Sequence, residues 1–256
     1  MSNALFDRLS TSLAIRETKQ IKRTLSPSRH PQLSHPNLVD FSSNDYLSFA
    51  TSPQLQQTLL SSLASHPLGP LGPSSSRLLD GNTPLHLQVE SQLASFLNAD
   101  SALIFNSGFD ANSGLWACLP QPEDFILYDE LIHASTHDGM RASRVPVGNR
   151  RSFRHNDAEH LERMLLELRE DEGVRLGRKS VWVAAETLYS MDGDLSPLEE
   201  MVDVVERVLD RGNGHMVVDE VRPFIFGDCA RANAHLDPNL VARRTRPDYT
   251  DLADEE

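Results

Sequence analysis

Between residues 101 and 219, short apolar or β-branched runs alternate with longer stretches whose apolar residues recur every three or four positions. Strands alternating with helices produce that pattern, so it predicts an α/β domain. Strands are predicted over residues 101–105, 125–128, 181–185 and 215–218, and helices over 53–64, from about 84, and over 112–119, 132–142, 157–169 and 197–209. In the stretch 157–169, Leu161, Met164, Leu165 and Leu168 share one face, and Asn156 and Asp157 supply cap chemistry before it. Residues 169–179 mix charges around Gly173 and Gly177 and predict a solvated connection. Near the start, Leu5, Leu9 and Leu13 recur at helical spacing, which predicts an amphipathic helix. The neighbouring Arg8, Arg16, Lys19, Lys22 and Arg23 make a presequence the competing reading, and Asp7 and Glu17 weigh against it.

Charge narrows the partners. At a net −13, the 256-residue chain lacks the clustered basic surface that a phosphate backbone demands, so nucleic acid is not expected and small molecules or proteins are. Cys118 and Cys229 stand apart and outside any CxxC arrangement, which predicts neither a disulfide scaffold nor a thiolate metal site and suits a reducing compartment such as the cytoplasm. No apolar run reaches the roughly 18 residues of a membrane span.

Ligands in open α/β sheets gather beyond the carboxyl ends of the strands. After residue 105 come Asn106, Ser107, Gly108 and Phe109, which read either as a tight turn or as a helix start whose amides hold a phosphate. After residue 128 come His133 and His137, spaced as a zinc pair would be but without the glutamate of a HExxH site. His133 could instead lie against an aromatic ring or simply pack. Ser190, in the polar turn 186–194, carries a hydroxyl able to donate to a ligand oxygen, though the turn also reads as a plain loop. Asp219 ends an apolar run, where a half-buried carboxylate wants a cationic partner.

Seven segments, in order, resemble the α-oxoamine synthases: FSSNDYL at 41–47, SRLLDGNTPLH at 76–86, FNSGF at 105–109, DELIHAS at 129–135, FRHND at 153–157, SMDGD at 190–194 and VDE at 218–220. The resemblance implies the large domain of a type I pyridoxal-phosphate-dependent transferase, a mostly parallel sheet flanked by helices. It divides the chain into an N-terminal helical segment (1–40), a cofactor-binding domain (41–220) and a divergent, poorly ordered tail (221–256). It implies that Ser107, Gly108 and Phe109 approach the phosphate of pyridoxal 5′-phosphate and that His133 stacks on the pyridine ring. Ser190 would bond the phenolic oxygen, and Asp219 would pair with the ring nitrogen. Asn44 and Tyr46 match the substrate-side segment, and a homodimer using an amino acid and an acyl-CoA is implied. Residues 41–47 and 76–86 look most like the 8-amino-7-oxononanoate synthase branch, which joins alanine to a pimeloyl thioester in biotin synthesis.

Three features depart from the family. The loop 69–76 reads GPLGPSSS where small flexible residues are usual, and Val221 and Arg222 follow Glu220 where alanine and a ring-contacting histidine are usual. The third is the family's Schiff-base lysine, which lies on a Ser/Thr-rich turn further along. Lys19, Lys22 and Lys179 are the lysines here, and none has that context. These departures imply a domain incomplete at its carboxyl end and a chain inactive by itself. The competing readings are a non-catalytic subunit partnering a full-length relative, and a truncated gene product without activity.

Overall fold

Why the middle of the chain folds as it does is visible in a computed structural model, which describes residues 4–24, 43–45, 47–65 and 72–220. Contacts divide the chain into two units, residues 1–56 and 57–256. In the first, helix α1 (Ala4–Thr18) forms as the leucine spacing predicts, and no residue of it is buried. The tail 221–256, with Arg222, and residues 69–71 of the loop 69–76 lie outside the described residues.

The second unit holds a four-stranded sheet among the described residues: β1 (Phe125–Asp129), β2 (Arg150–Phe153), β3 (Val181–Glu186) and β4 (Gly214–Asp219). Its order is β2-β1-β3-β4, and every pairing is parallel. Because parallel neighbours need crossovers, helices intervene: α5 (Ala134–Ala142) between β1 and β2, α6 (Ala158–Leu168) and the short α7 (Glu172–Arg175) before β3, and α8 (Leu198–Val208) before β4. Ahead of the sheet run α2 (Pro53–Ser65), α3 (Pro84–Phe96) and α4 (Gly108–Cys118).

Side-chain alternation along the strands builds two cores. Phe125, Leu127, Val181, Val183 and Ala185 face one side, where Leu161, Leu165, Met201, Val204, Val205 and Val208 from α6 and α8 cover them. Buried positions 201, 204, 205 and 208 trace one stripe of α8, the i, i+3, i+4, i+7 spacing of a core-facing helix. Ile126 and Ala184 face the other side, against Trp116 of α4 and Met140 of α5. There α4 and α5 approach so closely that a Cβ on Gly139 would stand 2.7 Å from Trp116 Cβ and 2.9 Å from the Asn112 carbonyl oxygen. Only glycine fits that crossing.

Two elements differ from the sequence reading. Residues 101–105 form no strand: among the described residues they meet no neighbouring strand, and the Ile104 amide donates instead to Glu90 Oε1 at 2.9 Å. An apolar run becomes a strand only where a ladder is offered. Conversely, β2 was not predicted, because Arg-Arg-Ser-Phe has little apolar content. As one of the two edge strands among the described residues it buries only Phe153, so polar residues suffice at its other three positions. Helix boundaries also move. Ser107 and His133 prove to be N-caps, so α4 begins four residues before the predicted 112 and α5 two after the predicted 132. The connection 169–179 contains α7.

Candidate active site

β1 sends its crossover to β2 on one side, whereas β3 sends its own to β4 on the other. The chain direction therefore switches between β1 and β3, and in open parallel sheets such a point leaves a crevice beyond the strands' carboxyl ends. A cavity of about 140 Å³ lies there, lined by Gly108, Phe109 and Asn112 of α4, His133 and Ser135 after β1, Glu186, Leu188 and Ser190 after β3, and Asp219 at the end of β4. Segments far apart in sequence meet because each stands at the end of its strand or at the start of a helix.

Each side chain is held locally. Ser107 caps α4 by accepting the Asp110 amide hydrogen at 3.0 Å, which leaves its hydroxyl proton to give. Gly108 and Phe109 then open the helix, where amides have no intrahelical acceptor and the dipole favours an anion. His133 caps α5. Its Nδ1 lies 2.8 Å from Ser135 Oγ, and its backbone N–H donates to Glu186 Oε1 at 2.6 Å. The imidazole is exposed, with its plane edge-on to Phe109 at 6.4 Å between centroids. Asp219 is half-buried, and its Oδ2 accepts from Asn112 Nδ2 at 2.7 Å; the same amide group reaches Ser135 Oγ at 3.0 Å.

Of the residues read from sequence, Gly108, Phe109, His133, Ser190 and Asp219 converge on the cavity, and Ser107 caps the helix at its edge. Asn44 is exposed and belongs to the first unit, and Tyr46 lies outside the described residues. His137 turns aside: its ring packs edge-on to Tyr128 at 5.3 Å, and burial, then the Arg141 charge, lower its pKa. Among the described residues no group of three His, Cys, Asp or Glu is placed to hold a metal. Lys179 stands just before β3, at the opposite, amino end of the strands, with Nζ 2.7 Å from Asp171 Oδ2.

The model of the aminotransferase class I and II family matches residues 36–245. The chain belongs to that family. Within it, the chain is 45% identical over 228 residues to the 8-amino-7-oxononanoate synthase of Emericella nidulans, covering 87% of this chain and 53% of that protein. It is 36% identical over 220 residues to the aminoacyl transferase sphA of Byssochlamys spectabilis, covering 86% of this chain and 46% of that one. Among solved structures it resembles a serine palmitoyltransferase of S. paucimobilis with PLP and myriocin bound, at a TM-score of 0.54 and 29% identity, covering 66% of this chain and 38% of that one. The resemblance to α-oxoamine synthases thus holds across sequence and fold. The chain spans about half the length of the curated relatives it matches.

This family member carries three polar cavity residues that the sequence reading did not select: Asn112, Ser135 and Glu186. A signal existed for two of them. Asn112 lies one helical turn after Gly108, on the same face of α4, and Glu186 ends β3 much as Asp219 ends β4. Ser135 carried none, because its part depends on His133 capping α5.

Proposed function

We propose that the chain is the cofactor-binding part of a pyridoxal-5′-phosphate-dependent acyltransferase of the α-oxoamine synthase type. Such an enzyme joins the α-carbon of an amino acid to the carbonyl of an acyl-CoA thioester, releasing carbon dioxide and coenzyme A. The observation that carries this reading is the convergence of His133, Ser190 and Asp219 from three strand ends on one cavity that faces the start of α4.

That donor set fits a flat, anionic heteroaromatic molecule. The amides of Gly108 and Phe109, with the Ser107 hydroxyl, suit a phosphate. His133 offers an exposed imidazole face for the ring; its Nδ1 contact with Ser135 orients the imidazole, and the hydrogen bond from its backbone N–H to Glu186 holds the backbone there. Ser190 has a hydroxyl for a phenolic oxygen. Asp219, steadied by Asn112, offers a carboxylate to a ring nitrogen and holds a proton there. When bound, pyridoxal phosphate supplies an electron-accepting ring that stabilises negative charge at the substrate's α-carbon.

For substrates we assign alanine and a pimeloyl thioester, on the 45% identity to the Emericella enzyme. Asn44 and Tyr46 belong to the substrate side of this reading, in a cytoplasmic homodimer. The test is a titration of the full chain with pyridoxal phosphate, followed by its absorption. Saturable binding is expected, weakened roughly 10- to 100-fold in Asp219→Asn, the range that loss of one charge-assisted hydrogen bond gives. Absence of saturable binding, or equal affinity in the variant, overturns the reading.

A further inference from the structure

The segment FRHND at 153–157 supplies nothing to the cavity, yet it sits at the centre of a dense polar cluster beside it. Its His155 bridges two carboxylates: Nδ1 is 2.9 Å from Asp129 Oδ1 and Nε2 is 2.8 Å from Asp194 Oδ2. Asp129 is fully buried at the end of β1, where it also accepts the amide hydrogens of Leu131 and Asn156, each at 2.9 Å. Asp194 belongs to the loop between β3 and α8. That loop folds back on itself through Tyr189 N–H to the Asp194 carbonyl, Gly193 N–H to the Tyr189 carbonyl and Ser196 N–H to the Thr187 carbonyl, at 3.0 to 3.1 Å. Tyr189, buried inside it, presents its ring edge-on to His155 at 4.5 Å and accepts the Glu186 amide hydrogen at 3.3 Å. Asn156 Nδ2 adds a second tie to Asp194 at 2.8 Å.

We propose that His155 is a positioning residue: by bridging Asp129 and Asp194 it locks the loop after β3 into the shape that sets Ser190 on the cavity. The purpose assigned to Ser190 rests on the functional reading above, whereas the clamp rests on the distances alone. Both ring nitrogens face carboxylate oxygens, and only the doubly protonated imidazole can donate to both. Loss of one proton turns a nitrogen lone pair toward one of the two carboxylates, which breaks the two-sided bridge between β1 and the loop.

The charged surroundings agree. From β1 comes Asp129, and just past it Glu130, whose carboxylate accepts the His155 amide hydrogen at 3.0 Å; from the loop after β3 come Asp194 and the Tyr189 phenol; on the same segment Arg154 pairs with Asp157 at 2.5 Å. Burial opposes the charge on His155, but the hydrogen bonds and charges of Asp129 and Asp194 together raise its pKa above the usual 6.5. The bond to His155 lowers the Asp194 carboxyl in turn. Since the folded value is raised, the clamp is complete below about pH 6.5 and is lost as pH rises through the folded value.

Three readouts on the full chain test this. Hydrogen exchange at the Gly193 and Ser196 amides, corrected for its intrinsic pH dependence, is expected to quicken about 10-fold in His155→Gln and in Asp194→Asn, and in the wild type as pH passes the folded His155 value. The imidazole titration of His155 is expected to fall in Asp194→Asn, a substitution on an exposed loop that leaves the core intact. With pyridoxal phosphate added, His155→Gln is expected to shift the pH midpoint of its absorption as Ser190→Ala does, with no further shift in the double variant. Unchanged exchange, an unshifted titration or additive spectral shifts overturn the proposal. A wild type that binds no cofactor overturns the functional reading instead, and exchange and titration still decide the clamp.

Discussion

The two ends of the sheet hold similar chemical groups and put them to different use. At the amino end, buried Asp124 accepts the amide hydrogens of Gln121 at 2.8 Å and Ser180 at 2.9 Å, and the Trp182 indole hydrogen at 3.0 Å. His215 stacks on Trp182 at 4.5 Å and touches Ser180 Oγ at 3.2 Å, and burial lowers its pKa although Asp124 pulls the other way. There an acid, a histidine and a serine tie loops to strands. At the carboxyl end another acid, histidine and serine, Asp219, His133 and Ser190, line a cavity. The opening at the amino end is the larger, about 430 Å³ against about 140 Å³. Volume alone would favour the amino end; helix starts, the crossover switch and convergent side chains are the grounds for proposing the carboxyl end.

That contrast can be broken by substitution. The largest effect on stability is expected for Asp124→Ala, which strands three donors at the amino end: about 3 kcal/mol lost in urea unfolding, with pyridoxal phosphate affinity of the folded fraction unchanged. Reduced affinity there would erase the distinction between the two ends. A smaller loss, about 1–3 kcal/mol, is expected for Gly139→Ala, because the new methyl pushes α4 away from α5. Since α4 carries Asn112 and the amides proposed to hold the phosphate, cofactor affinity should fall with it, and a melting curve paired with a binding titration checks both.

The smallest effect is a pH dependence outside either end. Arg77 grips Glu90 through its two terminal guanidinium nitrogens, at 2.5 and 2.8 Å, and this contact more than any other cause pulls the Glu90 carboxyl down to about 2 from its usual 4.5. A depressed carboxylate stabilises the fold above its unfolded value and ceases to do so as pH falls toward the folded one. Glu90→Gln should therefore melt lower than the wild type at pH 6, with the gap closing as pH falls from about 4.5 toward 2. A gap that stays constant with pH would dissociate that bond from stability.

Much of the fold was legible because periodicity reports burial. The stripes of α6 and α8, the apolar runs of β1, β3 and β4, and the crossovers between them all followed from spacing. β2 escaped because an edge strand among the described residues can stay polar, and residues 101–105 misled because an apolar run does not reveal whether a partner strand stands beside it. The candidate site followed the same logic. His133, Ser190 and Asp219 were visible as polar residues just past strands, where chain direction alone makes them meet. Asn112 and Glu186 bond to Asp219 and His133 from other elements, and such bonds can be recognised only once those elements are packed, whereas Ser135 meets His133 through the cap of α5.

In the proposed reading the carboxyl end of the sheet, and not the roomier amino end, takes the cofactor. A crystal structure of the full chain grown with pyridoxal phosphate tests it most directly. The phosphate is expected at the start of α4, the ring against His133 and the ring nitrogen within hydrogen-bond distance of Asp219. A cofactor found instead beside Asp124 and Trp182, or one bound at the carboxyl end with its ring nitrogen away from Asp219, would contradict it.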